Sequence, residues 1–157
     1  MMSITLICVG KLKEKHYLAA CEEYIKRLRP SAALAVVELA ERPVQTPQEI
    51  AGALTAEGEA IGRAVPKGAY LVALSPEGRR MTSEAFAAKL NSLASGGDSR
   101  LCFLIGGSNG LCESVKQRAD LLLSMSEMTF PHHLARVMLL EQLYRAFSIL
   151  NHTKYHK

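Results

Sequence analysis

Residues Leu101–Leu111, LCFLIGGSNGL, decide how this chain is read. Leu101–Ile105 is an unbroken apolar run of the length expected for a strand buried on both faces. It stops at Gly106-Gly107-Ser108-Asn109-Gly110, where glycines allow positive φ and close approach to the backbone. A glycine-rich loop at the carboxyl end of a buried strand is where an open α/β sheet collects its ligand. The nucleotide fingerprints do not fit. A G-x-G-x-x-G pattern needs a residue between its first two glycines, and a Walker A loop needs Gly-Lys-Ser/Thr. On its own, the stretch reads either as a ligand loop or as a tight strand-to-helix turn.

The same grammar extends to both sides. Ile4–Val9, Ala32–Leu39, Tyr70–Leu74 and Leu121–Met125 are further apolar runs of strand length. Between them, His16–Leu28 carries Leu18, Cys21, Ile25 and Leu28 at helical spacing. Thr46-Pro47-Gln48-Glu49 has the form of a capping box and opens a helix running to about Ala64. Helices are also predicted over Ser83–Leu93 and Cys112–Arg118, and Pro131 opens a last one ending near Asn151. Lys11–Lys15 reads as a solvated loop and Ser75-Pro76-Glu77-Gly78 as a turn. The alternation predicts one α/β domain over residues 1–157, with a mostly parallel sheet and helices on both faces.

A chain of 157 residues with 48% hydrophobic content can bury one good core, and no apolar run approaches the roughly 20 residues of a membrane span. The opening MMSITLICVGKLKEK puts its charges after its apolar run, so it reads as a first strand and not as an export signal. Cys8, Cys21, Cys102 and Cys112 form no C-x-x-C pair, which fits a reduced, cytoplasmic protein. The net charge of +4 favours an anionic partner, while the absence of tryptophan gives no hint of a base-stacking platform.

No nucleophile elbow sets up a Ser-His-Asp or Cys-His arrangement. The adjacent His132 and His133 point in different directions and no carboxylate or cysteine cluster joins them, so no metal site is expected. In the last helix Glu141, Gln142, Arg145 and Ser148 fall on one side, a stripe expected to face water. Val137, Leu140, Leu143, Tyr144, Phe147 and Leu150 form a face broad enough to meet a second subunit as well as the sheet. The tail Asn151–Lys157 is either a frayed terminus or an arm offering stacking, hydrogen bonds and phosphate contact.

Taken in order, Ile4–Lys15, Leu104–Leu111, Met128–His132, Arg136, Glu141–Ala146 and the ending Tyr155-His156-Lys157 resemble one known family over the whole chain. It is the RlmH family of small methyltransferases that modify a pseudouridine of large-subunit ribosomal RNA. The resemblance implies a SPOUT fold whose C-terminal part is threaded into a trefoil knot, a topology that connection rules alone would reject. It also implies a cytoplasmic homodimer that uses S-adenosylmethionine to methylate N3 of a pseudouridine in 23S ribosomal RNA, within assembled ribosomal particles.

Carried over by residue, the cofactor would lie among Leu74, Gly106 and the segment Met125-Ser126-Glu127-Met128-Thr129-Phe130. All three lie at carboxyl ends of strands, and apolar Leu74, Met125 and Met128 suit an adenine ring. The sulfonium already activates the methyl group, leaving the protein to position N3 and assist loss of its proton. Candidates for that work are His132, Arg136, Tyr155 and His156, with Arg136 and Lys157 also suited to phosphate. Two alternatives stand beside this one. A non-enzymatic ribosome-associated assembly factor on the same scaffold would need no cofactor pocket, and a flavodoxin-type nucleotide binder is disfavoured by the missing phosphate fingerprint.

Overall fold

Successive side chains of a strand point to opposite faces, so five strands that are apolar throughout need a covering layer on each side. The computed structural model describes residues 1–157 and supplies both layers. Its elements are β1 (Met2–Val9), α1 (Lys15–Leu28), β2 (Ala32–Leu39), a 3₁₀ turn (Pro47–Glu49), α2 (Ile50–Ala64), β3 (Tyr70–Arg80), α3 (Ser83–Ser95), β4 (Arg100–Ile105), α4 (Glu113–Arg118), β5 (Leu121–Ser124) and α5 (His132–Leu150). All strand pairs are parallel, in the order β2-β1-β4-β3-β5. Ile4, Leu6 and Cys8 of β1, with Leu101, Phe103 and Ile105 of β4, pack under α1, α3 and α5. The alternate residues Ile7, Val9, Cys102 and Leu104 meet Ile61 of α2 and Val115 of α4 on the opposite face. The predicted α/β architecture is therefore the observed one.

Two local expectations are corrected. Ser75-Pro76-Glu77-Gly78 does not end β3. Leu74 and Arg79 both pair with Leu123 of β5, so these four residues leave the ladder as an excursion within one long strand. Proline cannot donate to a ladder, which accounts for the break. Gly78 closes it: a Cβ there would stand 2.7 Å from the Leu122 carbonyl carbon, so only glycine lets β3 return so near to β5.

The polar stripe of α5 also fails to face water. This helix lies between α1 and α3 on the sheet, so helices as well as strands cover its broad apolar face and little of its circumference is left free. Leu139, Leu140, Leu143 and Phe147 are buried, and so is Ser148, whose hydroxyl donates to the Tyr144 carbonyl at 2.9 Å. Gln142 accepts a hydrogen bond from Ser83 at the start of α3 at 2.7 Å. Glu141 and Arg145 form a half-buried ion pair at 2.6 Å.

Candidate active site

Because every strand runs the same way, all their carboxyl ends meet on one edge of the sheet. There the excursion within β3, the ends of β4 and β5 and the first turn of α5 line a cavity of about 630 Å³. Leu74, Gly106, Met125, Ser126, Met128, Thr129 and Phe130 line it, so the structure gathers all the cofactor candidates but one. Glu127 points elsewhere and pairs with Arg80 at 2.9 Å. The wall after β5 is shaped by Ser126: its carbonyl accepts from the Ser124 hydroxyl at 3.0 Å, and its own hydroxyl accepts from the Met128 amide at 3.0 Å.

The floor is the glycine loop, and its glycines serve a different purpose from the one expected. Among Gly106, Gly107 and Gly110, only Gly110 has a positive φ, +78°. A Cβ on Gly106 would lie 2.5 Å from the Gly110 carbonyl oxygen, and one on Gly107 would lie 2.6 Å from the Glu41 carboxylate. The loop is folded on itself, with the Gly110 amide donating to the Gly107 carbonyl at 3.0 Å, and has no room for side chains there. The close approach that selects glycine is to the loop's own backbone and to Glu41.

Glu41 was not legible as a site residue. It follows β2, and its carboxylate accepts from the Ser108 amide at 2.7 Å, while its other oxygen lies 3.9 Å from Nε2 of His132. It thus touches both the floor and the α5 wall. Burial pushes its pKa up, but the Ser108 amide and hydroxyl and the two histidines outweigh burial, and the carboxyl is held below its ordinary range. Nothing in its sequence neighbourhood, Ala40-Glu41-Arg42-Pro43, relates it to a loop 67 residues later.

The four candidates for proton handling are not brought together. His132 alone lines the cavity; its Nε2 is buried without a hydrogen-bond partner. Burial, then the neighbouring His133, lowers its pKa, so it is a neutral imidazole at neutral pH. Its ring lies 4.2 Å from that of His133, whose Nδ1 is 3.0 Å from Glu14. Arg136 is 4% exposed and committed: its guanidinium donates to Glu38 at 2.8 Å and to the Gly10 carbonyl at 3.2 Å.

Tyr155 donates to Glu141 at 3.2 Å and stacks edge-on against Tyr144. Burial, then Tyr24 and Glu141, pushes its pKa up to about 12, so it is a hydrogen-bond donor and not a phenolate. His156 bridges Arg145 at 3.1 Å and Glu84 of α3 at 2.7 Å. The tail is therefore docked, not frayed. Along α5, Glu141 lies nine residues beyond His132, about 13 Å at helical rise, so within one chain the tail and the cavity are separate features.

The cavity suits an adenosyl group. Its volume is in the range of small-molecule sites, and Leu74, Ile105, Met125 and Phe130 give it apolar walls. Ser75, 5% exposed, contributes a buried hydroxyl with no hydrogen-bond partner to the same lining, a donor that a polar ligand would satisfy. No cysteine lines the cavity, and burial pushes the thiols of Cys8 and Cys102 up to about 12.

The chain matches known proteins over nearly its whole length. A family model described as a predicted SPOUT methyltransferase matches residues 2–156. A protein of Moorella thermoacetica named ribosomal RNA large subunit methyltransferase H is 44% identical over 160 residues, covering all of both chains. A protein of the same name from Bifidobacterium adolescentis is 47% identical, covering 99% of this chain and all of its own. Among solved structures, a probable methylase family protein of Haemophilus influenzae Rd KW20 superposes with a TM-score of 0.55 over 98% of this chain and 70% of its own, at 14% identity, which shows a shared fold. With its parallel sheet, its cavity at the carboxyl edge and a family match that spans almost every residue, this chain belongs to the SPOUT methyltransferase family.

Proposed function

We propose that this protein is an S-adenosylmethionine-dependent methyltransferase that modifies N3 of a pseudouridine in 23S ribosomal RNA, acting in the cytoplasm on assembled ribosomal particles. One observation carries the reading. Three segments far apart in sequence, the excursion within β3 and the loops that follow β4 and β5, converge on a single cavity with apolar walls, a glycine-loop floor and His132 at its side. An assembly factor without a cofactor would have no need for such a cavity.

The cofactor would be held by the backbone at Gly106, the Ser75 hydroxyl and the apolar side chains of Leu74, Met125 and Met128. When bound, it supplies a methyl group already activated by the sulfonium charge. The chain's own task is to hold the target imide in line with that methyl and to exclude water, and positioning of this kind is worth roughly 7–11 kcal/mol of barrier. The target N3 would lose its proton as it takes the methyl group, so the chain would also have to offer that proton an acceptor. His132, neutral and unpartnered at Nε2, is the one candidate at the cavity that can accept a hydrogen bond or a proton.

The same reading includes a homodimer. Tyr155, His156 and Lys157 lie along α5, away from the cavity of their own chain, so a second copy is needed to bring such a tail to the reacting imide. The whole chain acts as one SPOUT domain, with the C-terminal knot of that fold, and no metal takes part.

Isothermal calorimetry with S-adenosylmethionine, followed by transfer of a labelled methyl group to ribosomal particles from a strain lacking this enzyme, tests the proposal. Micromolar binding and a single labelled pseudouridine are expected. Absence of cofactor binding by the folded protein would overturn it in favour of a non-enzymatic factor.

A further inference from the structure

The loop from Gly10 to Lys15 leaves the same edge of the sheet as the cavity, and it is anchored at four points. Arg136 donates to the Gly10 carbonyl at 3.2 Å, and Glu38, the partner of Arg136, accepts from the Leu12 amide at 2.8 Å. The Leu12 side chain is 4% exposed, and Glu14 meets His133 at 3.0 Å. Most of these anchors belong to the first turns of α5 or the end of β2, so the loop is fixed relative to His132 in the cavity wall.

With Leu12 turned inward, Lys11, Lys13 and Lys15 all face solvent. None of the three has a salt-bridge partner, because Glu14, the one acid in the loop, has its carboxylate turned to His133. Helix stability does not account for them either. Lys15 opens α1, whose first turn carries no acid, so the cation stands against the positive end of the helix dipole. Lys11 lies close enough to Glu38 to help hold that carboxyl ionised, but in a chain of net charge +4 three cations without an ion pair on one anchored loop still concentrate positive field beside the cavity.

We propose that Lys11, Lys13 and Lys15 form a phosphate-binding ridge that grips the backbone of the ribosomal RNA next to the methyl-transfer cavity. This rests on the RNA methyltransferase reading above and adds where the polyanion is held. Arg136, suited by type to a phosphate, is instead spent on holding the ridge in place. Such contacts position an RNA without reading its sequence, so the ridge acts on KM and on salt dependence, and not on the chemical step.

The test compares three variants in methyl transfer to ribosomal particles lacking the modification, at several salt concentrations. K11A/K13A/K15A is expected to raise KM for the particles at least tenfold while kcat stays within about threefold and cofactor affinity is unchanged. The slope of log KM against log salt should fall by about 2–3, at 0.7–0.9 per lost phosphate contact. K11R/K13R/K15R should restore both.

K26A/R29A/K67A removes the same charge from exposed positions at the opposite edge of the sheet and should behave as wild type. A loop variant with wild-type KM and salt slope, or one no different from the K26A/R29A/K67A control, would overturn the ridge. If the wild-type protein transfers no methyl group at all, the methyltransferase reading fails instead. Co-sedimentation of the same variants with the particles across the salt series then still decides the ridge, by whether binding and its salt slope drop in the loop variant alone.

Discussion

Arg136 and Glu41 have charges that the structure spends on holding segments of chain together. Arg136 looks from its type like a phosphate ligand, yet it is buried between Glu38 and the Gly10 carbonyl. Removing it leaves Glu38 and a backbone carbonyl without their shared donor. Arg136→Ala is therefore expected to cost about 2–4 kcal/mol of stability at pH 7, read from urea unfolding.

The pair also has a pH signature. Burial raises the Glu38 pKa, but the Leu12 amide and Arg136 more than offset it, and the folded pKa lies below the ordinary glutamate value. The stabilisation is thus fully present above the unfolded pKa of about 4.3 and is lost as pH falls through the folded value. Wild type should lose stability faster than Arg136→Ala on acidification below about pH 4.5. Parallel curves would show that the pair contributes nothing. Glu41→Ala acts elsewhere: it frees the Ser108 amide and should weaken S-adenosylmethionine binding about tenfold by calorimetry, the scale of one charge-assisted hydrogen bond.

Among the elements, the strands and helices were legible where their signal is local. The apolar runs of β1 and β4 carry no polar alternation because both faces are covered, and glycine, proline and capping residues mark their ends. Thr46–Glu49 announced its helix, and the Glu49 carboxylate does reach back to the Thr46 amide at 3.4 Å. What failed depended on neighbours. The sequence Ser75-Pro76-Glu77-Gly78 has turn chemistry, but whether a strand resumes after it is decided by β5 lying close enough to take up Arg79 and Arg80. The stripe on α5 looked solvated because its flanking helices could not be seen.

The tail was ambiguous for the same reason, since its partners Glu141, Arg145 and Glu84 are remote in sequence. Deleting Tyr155-His156-Lys157 should leave cofactor affinity intact and lower methyl transfer at least about a hundredfold, through lost positioning and a lost polar group. Tyr155→Phe removes one hydroxyl and should lower mainly the rate at saturating substrate. A truncated protein with full activity would show the docked tail to be structural only.

For the molecule as a whole, the candidate cofactor loops follow from the family resemblance and agree with the rule that ligands gather at carboxyl ends of parallel strands; the structure brings all of them but Glu127 to one cavity. The order β2-β1-β4-β3-β5 leaves no local trace, because helices and not hairpins join the strands. Assembly is likewise a property above the chain. Sedimentation at micromolar concentration is expected to give a symmetric dimer, and a monomer that retains full activity would refute a tail supplied by a second copy.

The cavity has unlike walls. Its floor continues directly from β4, which is bonded to a strand on each side, and Gly106 and Gly107 are buried. Its rim, by contrast, follows the four-residue β5, with Glu127, Met128 and Thr129 exposed and Met128 showing 75% of its surface. A rigid base with a loosely covered edge sets two clocks for hydrogen exchange. Amides of residues 101–107 should exchange with deuterium only through rare, large openings, whether or not ligand is present, while those of 126–130 exchange quickly until ligand shuts them down. Exchange at 126–130 that stays fast with ligand present would show instead that this rim takes no part in holding it.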